Sequence, residues 1–142
     1  MQSNTTIQND LILAYKETDF IVDLDPQLIL HIAEYNEELL GLYNLHNVNC
    51  CAFITAYNPY SEITTDTQNI QKNKVLLNEL KSKELFFLKG EGKHPSGNWP
   101  GEASYLILDI SVDESKELGN KYKQNAIVWC GADAVPQLVL LR

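Results

Sequence analysis

The chain has 142 residues, 44% of them hydrophobic and 21% charged, with a formal net charge of −8. That is the make-up of one globular domain, able to bury roughly 68–70% of the surface its unfolded chain would expose. No apolar run approaches the roughly 18 residues that span a bilayer, and there is no Lys/Arg stripe to neutralise phosphates, so neither membrane nor nucleic acid is expected as a partner.

In chain order, Ile7, Leu11, Ala14 and Tyr15 recur at helical spacing between polar residues, which predicts an amphipathic helix over residues 6–15. Residues 20–24 and 28–33 read as strands, and their short connection through Asp25-Pro26 makes them a hairpin. Asn36 is placed to cap a helix over Glu37–His46, with Glu37 and Glu38 where the helix dipole favours negative charge. Residues 50–57 are apolar on both alternating faces, the mark of a central strand covered on both sides. Asn58-Pro59 stops that strand. A helix over about Asp66–Ser82 follows, with Ile70, Leu76, Leu77 and Leu80 as its apolar stripe. A strand at 85–88 comes next, giving a right-handed βαβ unit if the two flanking strands are parallel. Residues 103–110 alternate as a strand, and Ser111 to Glu114 form a capping box that opens a further helix. Gly119, inside that helix, either permits close approach to the sheet or ends the helix. Ala126–Cys130 and residues 137–141 then form a closing hairpin. The sum is an α+β fold: a single domain over residues 1–142, with a mixed, mainly antiparallel sheet flanked by about four helices.

Residues 85–104, LFFLKGEGKHPSGNWPGEAS, form a glycine-rich stretch between two of these strands. Three segments stand out: AFITAYNP at 52–59, GEG at 90–92 with WPGEAS at 99–104, and QNAIVW at 124–129. Together they resemble an uncharacterised bacterial family of single-domain proteins, classed as a domain of unknown function. In that family an AFITAWNP-like strand end, a GEG and W-x-GE-x-S loop and a GQNAIVW strand recur in this order. The likeness covers about residues 10–142. Tyr57 stands where the family has tryptophan, which keeps an aromatic face, and Lys123 stands where it has glycine. The resemblance implies no reaction, cofactor or catalytic residue.

With the strands ordered in this way, Asn58, Glu91, Glu102, Ser104, Gln124 and Asn125 meet on one rim of the sheet, where open sheets bind ligands. Asn58 and Asn125 offer hydrogen bonds, Trp99 and Tyr57 offer flat faces, and Lys89, Lys93 and His94 offer positive charge, a set suited to a nucleotide-like molecule. Each also has a plainer reading. Asn58 before proline is a turn residue, Gly90-Glu91-Gly92 a tight turn, Trp99 a cover for the core edge, Glu102 an acceptor of backbone amides, and Gln124-Asn125 a helix C-terminus. As a pair, Glu91 and Glu102 are the candidates for acid/base or glycosidase chemistry, which needs carboxylates about 5–10 Å apart. The same pair has the hard oxygens that suit Mg²⁺ beside a phosphate, but two acids alone are thin evidence for that ion. GEGKHPSG is not a phosphate-binding loop, because GxxxxGK[ST] is absent.

Cys50, Cys51 and Cys130 are odd in number and lie in or beside strand sequence, so reduced, buried thiols are expected rather than disulfides or nucleophiles. His31, His46 and His94 are scattered singly, and no metal site is expected. Residues 1–48 hold eight acids against Lys16 alone, a net −7, while residues 49–142 hold eleven acids and ten bases, a net −1. The N-terminus has no basic start followed by an apolar core, so no targeting peptide is expected and the protein reads as cytoplasmic. The functional expectation is a small cytoplasmic domain that binds, and if an enzyme acts on, a small polar, nucleotide-like ligand at the glycine-rich loop. The alternative is a protein-interaction or regulatory module without catalysis, whose acidic first third and exposed loop dock a protein partner.

Overall fold

The fold grows outward from β3 (Cys51–Ile54), all of whose residues are buried. Cys51 and Phe53 enter one core while Ala52 and Ile54 enter another, as the two-residue period of a strand covered on both faces requires. A computed structural model describes residues 5–97 and 100–142. Around β3 lie β1 (Asp19–Val22), β2 (Leu28–Leu30), β4 (Phe87–Lys93), β5 (Glu102–Leu108), β6 (Ala126–Cys130) and β7 (Pro136–Leu140). They form one seven-stranded sheet in the order β2-β1-β4-β5-β3-β6-β7, and every pairing is antiparallel. The helices are α1 (Asn9–Glu17), α2 (Glu37–His46), α3 (Asp66–Ser82) and α4 (Val112–Lys121), so the α+β class holds.

β3 and β4 both pair antiparallel with β5 and therefore run parallel to each other with β5 between them. β5 and β6 stand in the same relation across β3. The crossovers through α3 and α4 thus interlock as the split β-α-β-β-α-β arrangement of ferredoxin-like folds, widened by β1 and β2 at one edge and by β7 at the other. The parallel relation expected of the strands around α3 is present, one strand removed.

Several element boundaries follow from side-chain chemistry. The Asn36 side chain accepts from the Leu39 amide and opens α2, which Asn47 closes in the left-handed conformation. Ser111 accepts from the Glu114 amide and opens α4. Its hydroxyl turns to the Glu114 carboxylate, so the reciprocal half of the capping box is replaced by a side-chain pair. Gly119 is needed for contact, since a Cβ there would stand 2.5 Å from a Leu141 methyl and 2.7 Å from an Ile127 methyl. It lets α4 lie close on the sheet.

The buried row of α3 is Asn69, Asn73, Leu76 and Leu80. This corrects the expected stripe, because Ile70 is 60% exposed while Asn69 is 4% exposed. The spacing 69, 73, 76, 80 is one helical face, and Ile70 lies off it. The second correction concerns the glycine segment: Gly90, Glu91 and Gly92 are strand residues within β4, paired with Val22, Ile21 and Phe20 on one side and with Ser104, Ala103 and Glu102 on the other. Gly90 faces the Phe53 ring, and a Cβ there would lie 2.5 Å from the Ile21 carbonyl oxygen. Glycine keeps a core strand close to its neighbours here instead of making a loop.

The two faces of the sheet are covered differently. α3 and α4 seal one face with Leu76, Leu80 and Leu118 against Ala52, Ile54, Tyr105 and Ile107. Across that seam Glu79 accepts from the Tyr122 hydroxyl at 2.6 Å, and Lys121 and Lys83 stand 2.8 and 3.1 Å from its two oxygens. On the other face α2 packs Leu39, Leu42 and Tyr43 on the sheet, while α1 lies beside a cavity.

Candidate functional site

The cavity has a volume of about 370 Å³, within the size range of small-molecule sites. α1 roofs it with Leu11, Ala14 and Tyr15 and the Thr18 that caps its end, and the sheet floors it with Phe20, Phe53, Ser104 and Val128, with Thr55 just past β3. Glu102 enters it opposite Gly92, where no facing side chain fills the space.

The loop after β3 forms one wall and is pinned by α3. Asn73 accepts the Ala56 amide at 3.2 Å, and Asn69 accepts the Asn58 amide at 2.9 Å and the Thr64 hydroxyl at 2.6 Å. Asn58 adopts the left-handed conformation (φ 45°, ψ 68°), which asparagine tolerates better than most residues. Its side-chain oxygen accepts from the Thr64 amide at 3.1 Å and from Asn69 Nδ2 at 2.9 Å. Those donors fix which end of the amide is oxygen. The Asn58 NH₂ is thereby aimed at Glu102 and donates to Oε2 at 2.8 Å.

Gln124 holds the same loop by donating to the Tyr57 carbonyl at 3.1 Å and to its own helix end at Tyr122. Asn125 stands behind the wall: it donates to Ser61 Oγ at 2.9 Å and accepts from Arg142 at 3.1 Å. Ser61 Oγ and the Tyr15 hydroxyl are 2.7 Å apart, which ties the roof helix to the loop. Arg142 lies over the Tyr60 ring, 4.1 Å from its centre.

Burial raises the Glu102 carboxyl above the usual carboxylate range, and the Asn58 hydrogen bond opposes that only in part. Burial likewise raises the Tyr15 hydroxyl, against hydrogen bonds from Ser61 and Asn125, and the nearby Glu102 charge adds to the rise. Glu79, on the sealed face, is the reverse case. Burial alone would raise it, but the hydrogen bonds from Lys121, Tyr122 and Lys83 prevail and hold it at about 2.

Of the residues expected at the site, Asn58, Glu102, Ser104 and Gln124 line the cavity, and so do Tyr57 and His94. Ser104 spends its hydroxyl on the Glu102 carbonyl at 2.9 Å. Glu91 and Lys93 are one strand position out of phase with Gly92 and lie, with Lys89, on the opposite face. Glu91 packs over Gly101, where a Cβ would touch its carboxyl group. The Glu91/Glu102 pair is therefore not assembled. Trp99 lies outside the described residues.

Sequence reasoning missed Tyr15, Ser61 and the Asn69/Asn73 pair as site residues. The asparagines had a signal: two amides at i and i+4, in phase with Leu76 and Leu80. Cys51 and Cys130 sit directly opposite each other, buried and unbridged, and Cys50 is half-buried with its thiol donating to the Ile110 carbonyl at 3.3 Å. The neighbouring Cys51 thiol and burial raise the Cys130 thiol, and burial raises Cys50, so both are held as thiols. Among the described residues no three His, Cys, Asp or Glu side chains are grouped to hold a metal ion, and no helix is long and apolar enough to cross a membrane.

A family model described as a protein of unknown function (DUF3293) matches residues 54–127, just over half of the chain. The chain belongs to this family. No curated protein and no solved structure matches it. The DUF3293 segment runs from the end of β3 into β6 and contains Asn58, Asn69, Glu102 and Gln124, the residues that build and pin one wall of the cavity. α1, the roof, lies outside the matched segment.

Proposed function

We propose that this DUF3293 protein binds a small metabolite with a flat ring in the cavity beneath α1, contacting the β4–β5 glycine segment through Gly92, His94 and Glu102. The observation that carries this reading is a cavity of about 370 Å³ into which a half-buried carboxylate projects. Keeping a carboxylate from water destabilises the fold unless something repays it. Aromatic side chains at Phe20, Phe53 and Tyr57 supply the apolar surface that ring ligands need.

Of a nucleotide-like ligand, the flat ring is supported and the phosphate is not. Lys89 and Lys93 are directed away from the cavity, and no lysine or arginine is among its described lining residues. Ligand binding is tested by native mass spectrometry of protein gently isolated from its own host, with identification of anything released on denaturation. The expected result is a stoichiometric small molecule that is absent from Ala126→Phe, a substitution that fills the cavity from β6. A small molecule retained equally by Ala126→Phe, or a co-purifying protein in its place, contradicts the reading.

A further inference from the structure

The charge around Glu102 narrows the ligand class beyond the pocket reading, on which this inference rests. Its carboxylate has one hydrogen-bond partner among the described residues, the neutral amide of Asn58 on Oε2. The second oxygen has none among them. Among the described residues no cation is paired with it: Arg142 is occupied by Asn125 and the Tyr60 ring, and Lys93 lies on the other face. His94, the basic side chain at the cavity's outer wall, holds Ser96, whose amide donates to its Nδ1 at 3.2 Å. Glu79 of the same chain shows what a satisfied acid looks like, with two lysines and a phenol on its oxygens.

A half-buried carboxylate without a counter-charge, at the polar end of an otherwise largely apolar cavity, is a site awaiting a positive group. An anion would meet a like charge there, and a neutral hydroxyl would gain a hydrogen bond but no charge pairing. We propose that the ligand carries a protonated amine or amidine on a flat apolar body, with the cation on Glu102 and the body against Phe53 and Phe20. Asn58 is a positioning residue. Because Thr64 and Asn69 saturate its oxygen, its NH₂ stays on Oε2 and leaves Oε1 for the ligand's N–H group.

The test uses three probes of matched size, phenethylamine, 2-phenylethanol and phenylacetate, titrated into the ¹⁵N-labelled 142-residue chain and its Glu102→Gln variant. Phenethylamine is expected to shift the Thr55, Tyr57 and Ser104 amides with about tenfold or greater advantage over 2-phenylethanol, the difference of a charge-assisted hydrogen bond. Phenylacetate is expected to bind most weakly. In Glu102→Gln, whose dispersed spectrum reports that it folds, the amine's advantage should vanish while the alcohol's affinity stays. An alcohol or carboxylate that binds wild-type protein as tightly as the amine overturns the inference and leaves the pocket reading intact, as does an amine advantage that survives Glu102→Gln. Failure of all three probes to move these amides contradicts the pocket reading and the inference together.

Discussion

The two faces of this sheet carry the same residue type to opposite ends. On the face sealed by α3 and α4, Glu79 is surrounded by donors and held at about 2, so its charge helps to clamp two helices. On the face roofed by α1, Glu102 has one neutral donor among the described residues and is raised by burial, so its charge works against folding. A chain that can build the first arrangement has no structural need for the second. Under the proposed function, the difference separates a residue placed for stability from one placed for a ligand.

The contrast can be broken first in the packing. Leu76 is fully buried on the sealed face, and Leu76→Ala is expected to cost about 3 kcal/mol in urea unfolding. Leu11 lines the cavity from α1, and Leu11→Ala should cost less than about 1 kcal/mol, because the space beneath it is already open. Equal losses at the two positions would mean that α1 is packed as tightly as α3.

Glu79→Ala comes next, with an expected loss of about 2 kcal/mol as Tyr122 and Lys121 lose their acceptor. Because the folded-state value is depressed, this contribution is present above the unfolded value of about 4.3 and fades as pH falls toward about 2. Unfolding midpoints of wild type and variant should therefore converge in acid. Asn69→Ala is expected to cost about 1–2 kcal/mol by unpairing the Asn58 amide and the Thr64 hydroxyl. It should also weaken phenethylamine binding, since Asn58 is no longer aimed at Glu102. The smallest effect has the opposite sign: Glu102→Gln keeps an acceptor for Asn58, removes the charge that burial disfavours, and should stabilise the fold slightly at neutral pH.

Much of the fold was legible because local chemistry and tertiary packing agree. Asn36, Asp66–Ser82, Ser111 and the 126–140 hairpin fall where capping residues and alternation place them, and the unbroken apolar run at 50–57 marked the central strand. The glycine segment misled because Gly90 and Gly92 look like a turn in one dimension. Their reason, the Phe53 ring beneath Gly90 and the carboxylate opposite Gly92, exists only once β4 lies between β1 and β5. Strand phase separated Glu91 from Glu102, and sequence gives phase only after the strand itself is recognised. Asn58, Glu102, Ser104 and Gln124 were found as polar residues near strand ends. Tyr15 was hidden inside an ordinary amphipathic pattern, and its partner Ser61 within a polar loop.

The most direct measurement is the unfolding free energy of wild type and Glu102→Gln by urea denaturation from about pH 4 to about pH 8. A carboxyl raised in the folded state binds more protons folded than unfolded, so wild-type stability should fall, relative to the variant, as pH rises through the unfolded and then the folded value. Glu102→Gln should therefore be the more stable protein at neutral pH, with the two curves meeting in acid. A variant less stable at neutral pH, or a gap that does not change with pH, would show that Glu102 is as well satisfied as Glu79 and that its charge is not held for a ligand.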